Sequence, residues 1–138
     1  MFALMLVLGL VAAACSKKSD SGSEGSGGES GGGTITINGD KANDHGEKSI
    51  GDETEVEVDS FYFEPTTIKA APGSTVKLEL SNDSDVEHNF SIDDQSIDQD
   101  LEAGGAADVM VTVPESGVVE FYCKYHKASG MVGQLEAS

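Results

Sequence analysis

The sequence predicts an all-β fold, a Greek-key β-sandwich. Three observations lead there. Apolar and polar residues alternate in several short stretches, as in strands with one buried face. Pro, Gly and Asn signals break those stretches at short intervals. No convincing long helix interrupts the series, and many short strands punctuated in this way suit a sandwich. The 138 residues are enough for one domain.

Residues 1–14 read MFALMLVLGLVAAA. A bilayer span takes ~20 apolar residues, so this run suits the h-region of a signal peptide instead. Ala12-Ala13-Ala14 then leads into Cys15-Ser16, which resembles the lipobox of bacterial lipoproteins. That resemblance implies a lipid on Cys15 and an extracytoplasmic protein anchored to the cell membrane. Ala12 stands where the lipobox usually has Leu, and no Lys or Arg precedes the apolar run. A start codon placed too far downstream would account for the missing charge. A plain cleaved signal with an incidental Cys is the alternative. From Ser16 to Gly33 no residue is apolar, so residues 15–33 read as a lipidated Cys plus a Gly/Ser-rich tether. Its r.m.s. reach is about 23 Å, and Lys17 and Lys18 would meet anionic head groups.

The folded domain is expected over 34–138, with 34–52 an N-terminal extension. Thr34-Ile35-Thr36-Ile37 alternates and ends at Asn38-Gly39. Ala42 to Asp52, which holds His45, is polar and reads as irregular, with His45 at the surface. Glu55 to Asp59 alternates strictly, but Phe61 and Phe63 take the other parity, for which a bulge at Ser60 is the expectation. Pro65 and Pro72-Gly73 mark a turn-rich connection. Val76, Leu78 and Leu80 form a clear strand, and Ser81 to Val86 a loop. His88, Phe90 and Ile92 share one face of the next strand. Asp93 to Ala107 is acidic and Gly-containing, with Gly104-Gly105 near its end, and is followed by a strand with Val109, Val111 and Val113. After the turn at Pro114-Glu115-Ser116-Gly117, Val119, Phe121 and Cys123 share a parity, so Cys123 faces the core. Met131, Gly133 and Leu135 share a parity in the last strand.

The formal net charge is −17 and the chain has no arginine. Nucleic acid is excluded as a partner, because counterion release needs clustered basic residues. An acidic surface suits solubility, a saline habitat, or docking to a basic protein. The segment Asp83 to Glu102 holds eight acids and no Lys or Arg, whereas Lys124 and Lys127 flank His126 as a small basic island. The two cysteines, Cys15 and Cys123, stand in unlike contexts, and each has its own explanation in place of a disulfide.

Phe121-Tyr122-Cys123-Lys124-Tyr125-His126, followed by Gly130-Met131, brings a thiolate, an imidazole and a thioether close together. Glu87-His88-Asn89-Phe90 supplies a second imidazole. Two His, one Cys and a distant Met are the ligand set of a blue-copper site. Singly, each has a plainer reading: a buried thiol, a surface histidine, a core methionine. Only three histidines exist, and two fall where such a site needs them. Soft sulfur favours Cu(I) and imidazole serves both oxidation states, so one ion can exchange an electron with little rearrangement.

The Cys-x2-His-x4-Met spacing of Cys123, His126 and Met131, with Gly130 before the Met and His88-Asn89 upstream, resembles the plastocyanin-like cupredoxins. The resemblance runs from about Glu53 to Leu135. It implies His88, Cys123 and His126 as strong ligands and Met131 as a long axial ligand of one Cu(I)/Cu(II) ion. It implies for Asn89 a hydrogen-bonding role behind the ligands, and an exposed edge on His126. Tyr125 stands where many members of that family have Pro.

The function expected is a non-enzymatic, monomeric electron carrier. It would exchange electrons with a redox protein such as a cytochrome or a membrane oxidoreductase complex, held near it by the lipid. A copper chaperone or storage protein of the cell envelope is the alternative. A multicopper enzyme would need more histidines than His45 can add. Zn(II) would also accept two His and a Cys.

Overall fold

The computed structural model describes residues 32–138. The apolar leader, Cys15 and nearly all of the Gly/Ser tether lie outside the described residues. Strand β1 (Gly33–Ile37) turns through Asn38-Gly39 into β2 (Asp40–Asp44). Both turn residues have positive φ, 49° and 98°, the geometry that makes Asn-Gly a strong hairpin signal. There follow β3 (Glu47–Ser49), β4 (Glu53–Asp59), β5 (Tyr62–Glu64), β6 (Thr67–Ala70) and β7 (Thr75–Asn82). The chain continues as β8 (His88–Ile92), β9 (Ile97–Leu101), β10 (Ala106–Thr112), β11 (Val118–Tyr122) and β12 (Val132–Ala137). The described helices are two single 3-10 turns, Asp93–Gln95 and Lys127–Ser129.

A four-stranded sheet of order β10-β7-β4-β5 faces a six-stranded sheet of order β3-β6-β12-β11-β8-β9, and β1-β2 forms a separate ribbon. The β-sandwich expected from the sequence is the fold observed. Its core is the space between the sheets. Phe63 projects from the smaller sheet onto Phe90 and Phe121 of the larger, with edge-to-face centroid distances of 5.8 and 5.1 Å. Such pairs add about 0.5–1.5 kcal/mol beyond the area they bury. On β12, Gly133 lies opposite Phe121 in the register, and a methyl group there would run into the Phe121 ring.

Several local expectations are corrected. No bulge explains the parity change at Ser60: Asp59 pairs with Tyr62 and Val58 with Phe63 across a two-residue turn. A two-residue reversal puts partners an odd number of positions apart, so parity switches between Val58 and Phe63 although both side chains enter one core. The stretch 42–52 is not irregular, since it contains the end of β2 and all of β3, with Ala42 fully buried. β3 pairs in parallel with β6 and adds an edge strand to the larger sheet. The supposed connection after Pro65 is β6, lying between β3 and β12. The acidic stretch after Asp93 contains β9, paired along β8 from His88↔Leu101 to Ile92↔Ile97.

The ribbon β1-β2 covers part of the outer face of the larger sheet. Ile37, Ala42 and Val132 form a second, smaller core there, with Ile35 and Tyr122 packed against it.

Candidate metal centre

His88 begins β8 on the same face as Phe90, and Cys123 follows β11 on the same face as Phe121. The candidate donors therefore extend two inward-facing rows of core side chains past the end of the sheet. His88, Cys123 and Met131 are fully buried. His126 is partly exposed.

The chain between Cys123 and Met131 is a closed loop. The His126 amide donates to the Cys123 carbonyl at 3.1 Å, and the Ser129 amide to the His126 carbonyl at 2.9 Å. The Gly130 amide donates to Lys127 at 3.0 Å and the Met131 amide to His126 at 3.3 Å. The Cys123 amide then donates to the Met131 carbonyl at 3.0 Å, which fixes the loop's two ends together. Gly130 makes the return with φ +88°, a left-handed conformation that disfavours other residues.

The loop brings three donors together. His88 Nδ1 and His126 Nδ1 face each other at 3.1 Å, and Cys123 Sγ lies 3.5 Å from His126 Nδ1. One donor atom from each residue lies within 4.8 Å of the others. Nitrogen and sulfur donors about 2.0–2.3 Å from a shared ion stand roughly 3.3–3.8 Å apart, so the spacing fits one small cation. Burial pushes the Cys123 thiol pKa up, against the pull of backbone amides of Tyr125, Asn89 and His126. Burial, then the neighbouring His126, lowers the His88 pKa, while Asp59 opposes weakly. A buried imidazole held towards its neutral form and a buried thiol, with no buried Lys beside them among the described residues, suit a metal that would supply the missing positive charge. Thiolate with imidazole is a donor set for copper or zinc.

Around the donors lies a polar scaffold. The Asn89 side chain accepts from the Lys124 amide at 3.3 Å and from Ser91 Oγ at 2.6 Å. It donates to Asp98 at 2.7 Å and Asp100 at 2.9 Å. Asn89 therefore links β8, β9 and the start of the Cys123 loop. Ser60 Oγ stands 3.5 Å from His88 Nε2, on the ring edge away from the other donors. Phe61 lies against His126 with centroids 4.6 Å apart. Its ring and that of Tyr125 are both substantially exposed beside His126.

The basic island expected around His126 is corrected. Lys124 is paired with Asp98 and Asp100 at 2.7 and 2.8 Å, and Lys127 with Asp40 and Glu120 at 3.0 and 2.6 Å. Each lysine meets two carboxylates, so neither supplies net positive charge. His45 is outside the donor cluster. It stacks on Tyr62 at 3.5 Å and 6°, with Nδ1 3.6 Å from Glu64, and its side chain is only 22 % exposed. The expected surface position is thus replaced by a stacked one.

Sequence reasoning missed Asp98, Asp100 and Ser60 as supports of the site. A signal existed for the first two: in Ile97-Asp98-Gln99-Asp100-Leu101 they alternate with the less exposed Ile97, Gln99 and Leu101 and share a face. Ser60 carried none, because its role depends on the hairpin that the parity change concealed.

Comparisons with known proteins agree with the fold. A family model described as a cupredoxin-like domain matches residues 5–135. Plastocyanin of Lactuca sativa is 31 % identical over 85 residues, covering 53 % of this chain and 84 % of that protein. Auracyanin B superposes with a TM-score of 0.54 at 20 % identity, over 63 % of this chain and 88 % of its own. Auracyanin A, described as a "blue" copper protein from the green thermophilic photosynthetic bacterium Chloroflexus aurantiacus, does so with a TM-score of 0.54 at 17 % identity. That match covers 64 % of this chain and 99 % of the other. At such identities the two superpositions concern the fold.

Proposed function

This chain belongs to the cupredoxin-like family, and we propose that it is a mononuclear blue-copper electron carrier. The convergence of His88, Cys123 and His126 beside a fully buried Met131 carries the proposal. His88, Cys123 and His126 would hold one copper ion strongly, and the Met131 thioether would serve as a fourth, weaker donor. Copper in such a set supplies a one-electron couple whose two states share one geometry. The protein's own part is to hold the donors still, exclude water from three of them and leave the His126 edge open for electron exchange. Asn89 supports this by tying the Cys123 loop to β8 and β9. As a carrier it would make and break no bonds in a substrate.

A closed site also favours a carrier over a chaperone. Copper transfer between proteins needs exchangeable soft donors at the surface, whereas Cys123 and Met131 are fully covered. Among the described residues the exposed methionine is Met110, on β10 of the other sheet.

The carrier would work outside the cytoplasm, tethered through a lipid on Cys15 beyond a signal segment. Its partner would be a redox protein with a basic docking face. The exposed acids Asp85, Glu87, Asp98 and Asp100 lie in or beside the segments around the site, and Lys124, paired with the last two, offsets only part of their charge. Association should slow as ionic strength rises.

Reconstitution tests the reading. Cu(II) added to purified apo-protein should give an intense visible thiolate-to-copper band and a narrow copper hyperfine splitting in EPR. Cys123→Ser should abolish the band while the β-rich circular dichroism persists. A colourless complex with ordinary hyperfine splitting would refute it, and tight zinc binding with no copper band would reassign the metal.

A further inference from the structure

Resting on the metal-site reading, we propose that Asn43 is a positioning residue for the ligand loop, and that the N-terminal ribbon acts as a brace on the metal centre through it. Asn43 lies on β2, in the N-terminal ribbon of the domain. Its main-chain amide donates to the Gly130 carbonyl at 2.8 Å. Its side-chain amide donates to the Ser129 carbonyl at 2.9 Å and to the Phe61 carbonyl at 2.8 Å. Both side-chain partners are carbonyls, which only accept, so the NH2 end must face them.

One side chain thus joins the bend between His126 and Met131 to the turn between β4 and β5. That turn carries the two residues touching the histidines from outside: Ser60 at His88 and Phe61 at His126. Fixing Ser129 and Phe61 to one amide fixes how far the His126 loop stands from the ring packed on it. The fit is close. A Cβ on Gly130 would come within 2.9 Å of the Asn43 side-chain oxygen. Gly130 is therefore required twice, by its positive φ and by Asn43.

Two further ties run from the ribbon to the same loop. Asp40 pairs with Lys127 at 3.0 Å, and Ile37 and Ala42 pack on Val132, just after Met131. Asn43 alone reaches both the loop and the Phe61 turn with hydrogen bonds, which singles it out within the ribbon.

The experiment compares Asn43→Ala and Asn43→Asp with Ile35→Ala. Ile35 packs in the small core of the ribbon but makes none of these bonds, so its variant measures what loosening the ribbon does by itself. In the apo-protein, amide hydrogen exchange at Gly130 and Met131 should accelerate at least tenfold in both Asn43 variants and less in Ile35→Ala. In the copper-loaded protein, both Asn43 variants should change the EPR hyperfine splitting and release copper to a chelator several-fold faster, with Ile35→Ala like wild type. Asn43→Asp keeps the size but turns a carboxylate towards two carbonyls, so it should be the more severe. Equal exchange and equal spectra in wild type and both Asn43 variants would overturn the proposal. So would effects of the same size in Ile35→Ala, which would reduce Asn43 to a contributor to ribbon stability. The exchange arm needs no metal. If wild type bound no copper, the electron-carrier reading would fail while the brace was still decided by exchange.

Discussion

The two sheets share one core but divide the work unequally. The four-stranded sheet contributes apolar side chains on its inner face and leaves its outer face to water. Along β7 burial alternates residue by residue, and β4 does nearly the same. The six-stranded sheet is covered on both faces where it matters: every residue of β8 is buried, as are three of the four in β6. The ribbon packs on its outer face at Val132, and Asn89 lies beneath Asp98, Asp100 and Lys124. His88, Cys123 and the start of the Met131 strand all belong to this doubly covered sheet. The smaller sheet reaches the site through the end of β4 and the Ser60–Phe61 turn. A metal site that must hold its geometry is built where the backbone is confined from both sides.

The largest expected effect tests whether the smaller sheet is more than a lid. Phe63 is its main contribution to the shared aromatic cluster and is fully buried. Phe63→Ala should destabilise the protein by about 3–5 kcal/mol, measured by equilibrium urea unfolding. Well below the unfolding transition the copper spectrum should remain that of wild type, because no donor is attached to β5. A spectrum altered as much as the stability would mean that the two sheets are not separable in this way.

The same difference decides what could be read from the sequence. Strands with one wet face announce themselves by period-two alternation, and β4, β7 and β10 were legible for that reason. Thr67-Ile68-Lys69-Ala70 has little alternation to show, because three of its four residues are buried, so β6 passed for a connection. β3 lies at the sheet edge with all three residues exposed, and nothing apolar marks it. The donors were legible because copper chemistry restricts residue types and because His88 and Cys123 keep the parity of Phe90 and Phe121. Their supports were not. Asn43 is an ordinary polar residue whose partner Ser129 lies 86 positions away, and no local pattern encodes a contact of that separation.

A smaller effect is expected at Gly130, where ribbon and loop meet. Gly130→Ala places a side chain at φ +88° and drives its methyl group onto the Asn43 amide. Strain of this kind costs of order 1–3 kcal/mol, which should appear as a lower urea midpoint. Unlike Phe63→Ala, this change should alter the copper spectrum at full folding. The pair of variants therefore separates the sheets by readout: one loses stability and keeps the site, the other loses less stability and disturbs it. If Gly130→Ala left the spectrum unchanged, the bend between His126 and Met131 would not set the donor geometry.

The smallest effect concerns the polar cover over the larger sheet. Lys124 is the first cause holding Asp98 and Asp100 below the usual carboxylate range, and Asn89 is the second. A carboxylate whose pKa is depressed by folding stabilises the fold above its unfolded pKa, about 3.9, and loses that contribution as pH falls through the folded value. Both carboxylates are exposed to solvent, so the contribution is screened and small. Lys124→Met should thus lower the melting temperature slightly at pH 7, by less than Gly130→Ala does. The gap to wild type should begin to narrow as pH falls below ~4 and close once it passes the depressed folded pKa values of the two carboxylates. A gap independent of pH would mean that Lys124 acts through packing of its stem on Tyr125, over whose ring its ammonium lies at 5.1 Å, and that the outer cover is held by shape in place of charge.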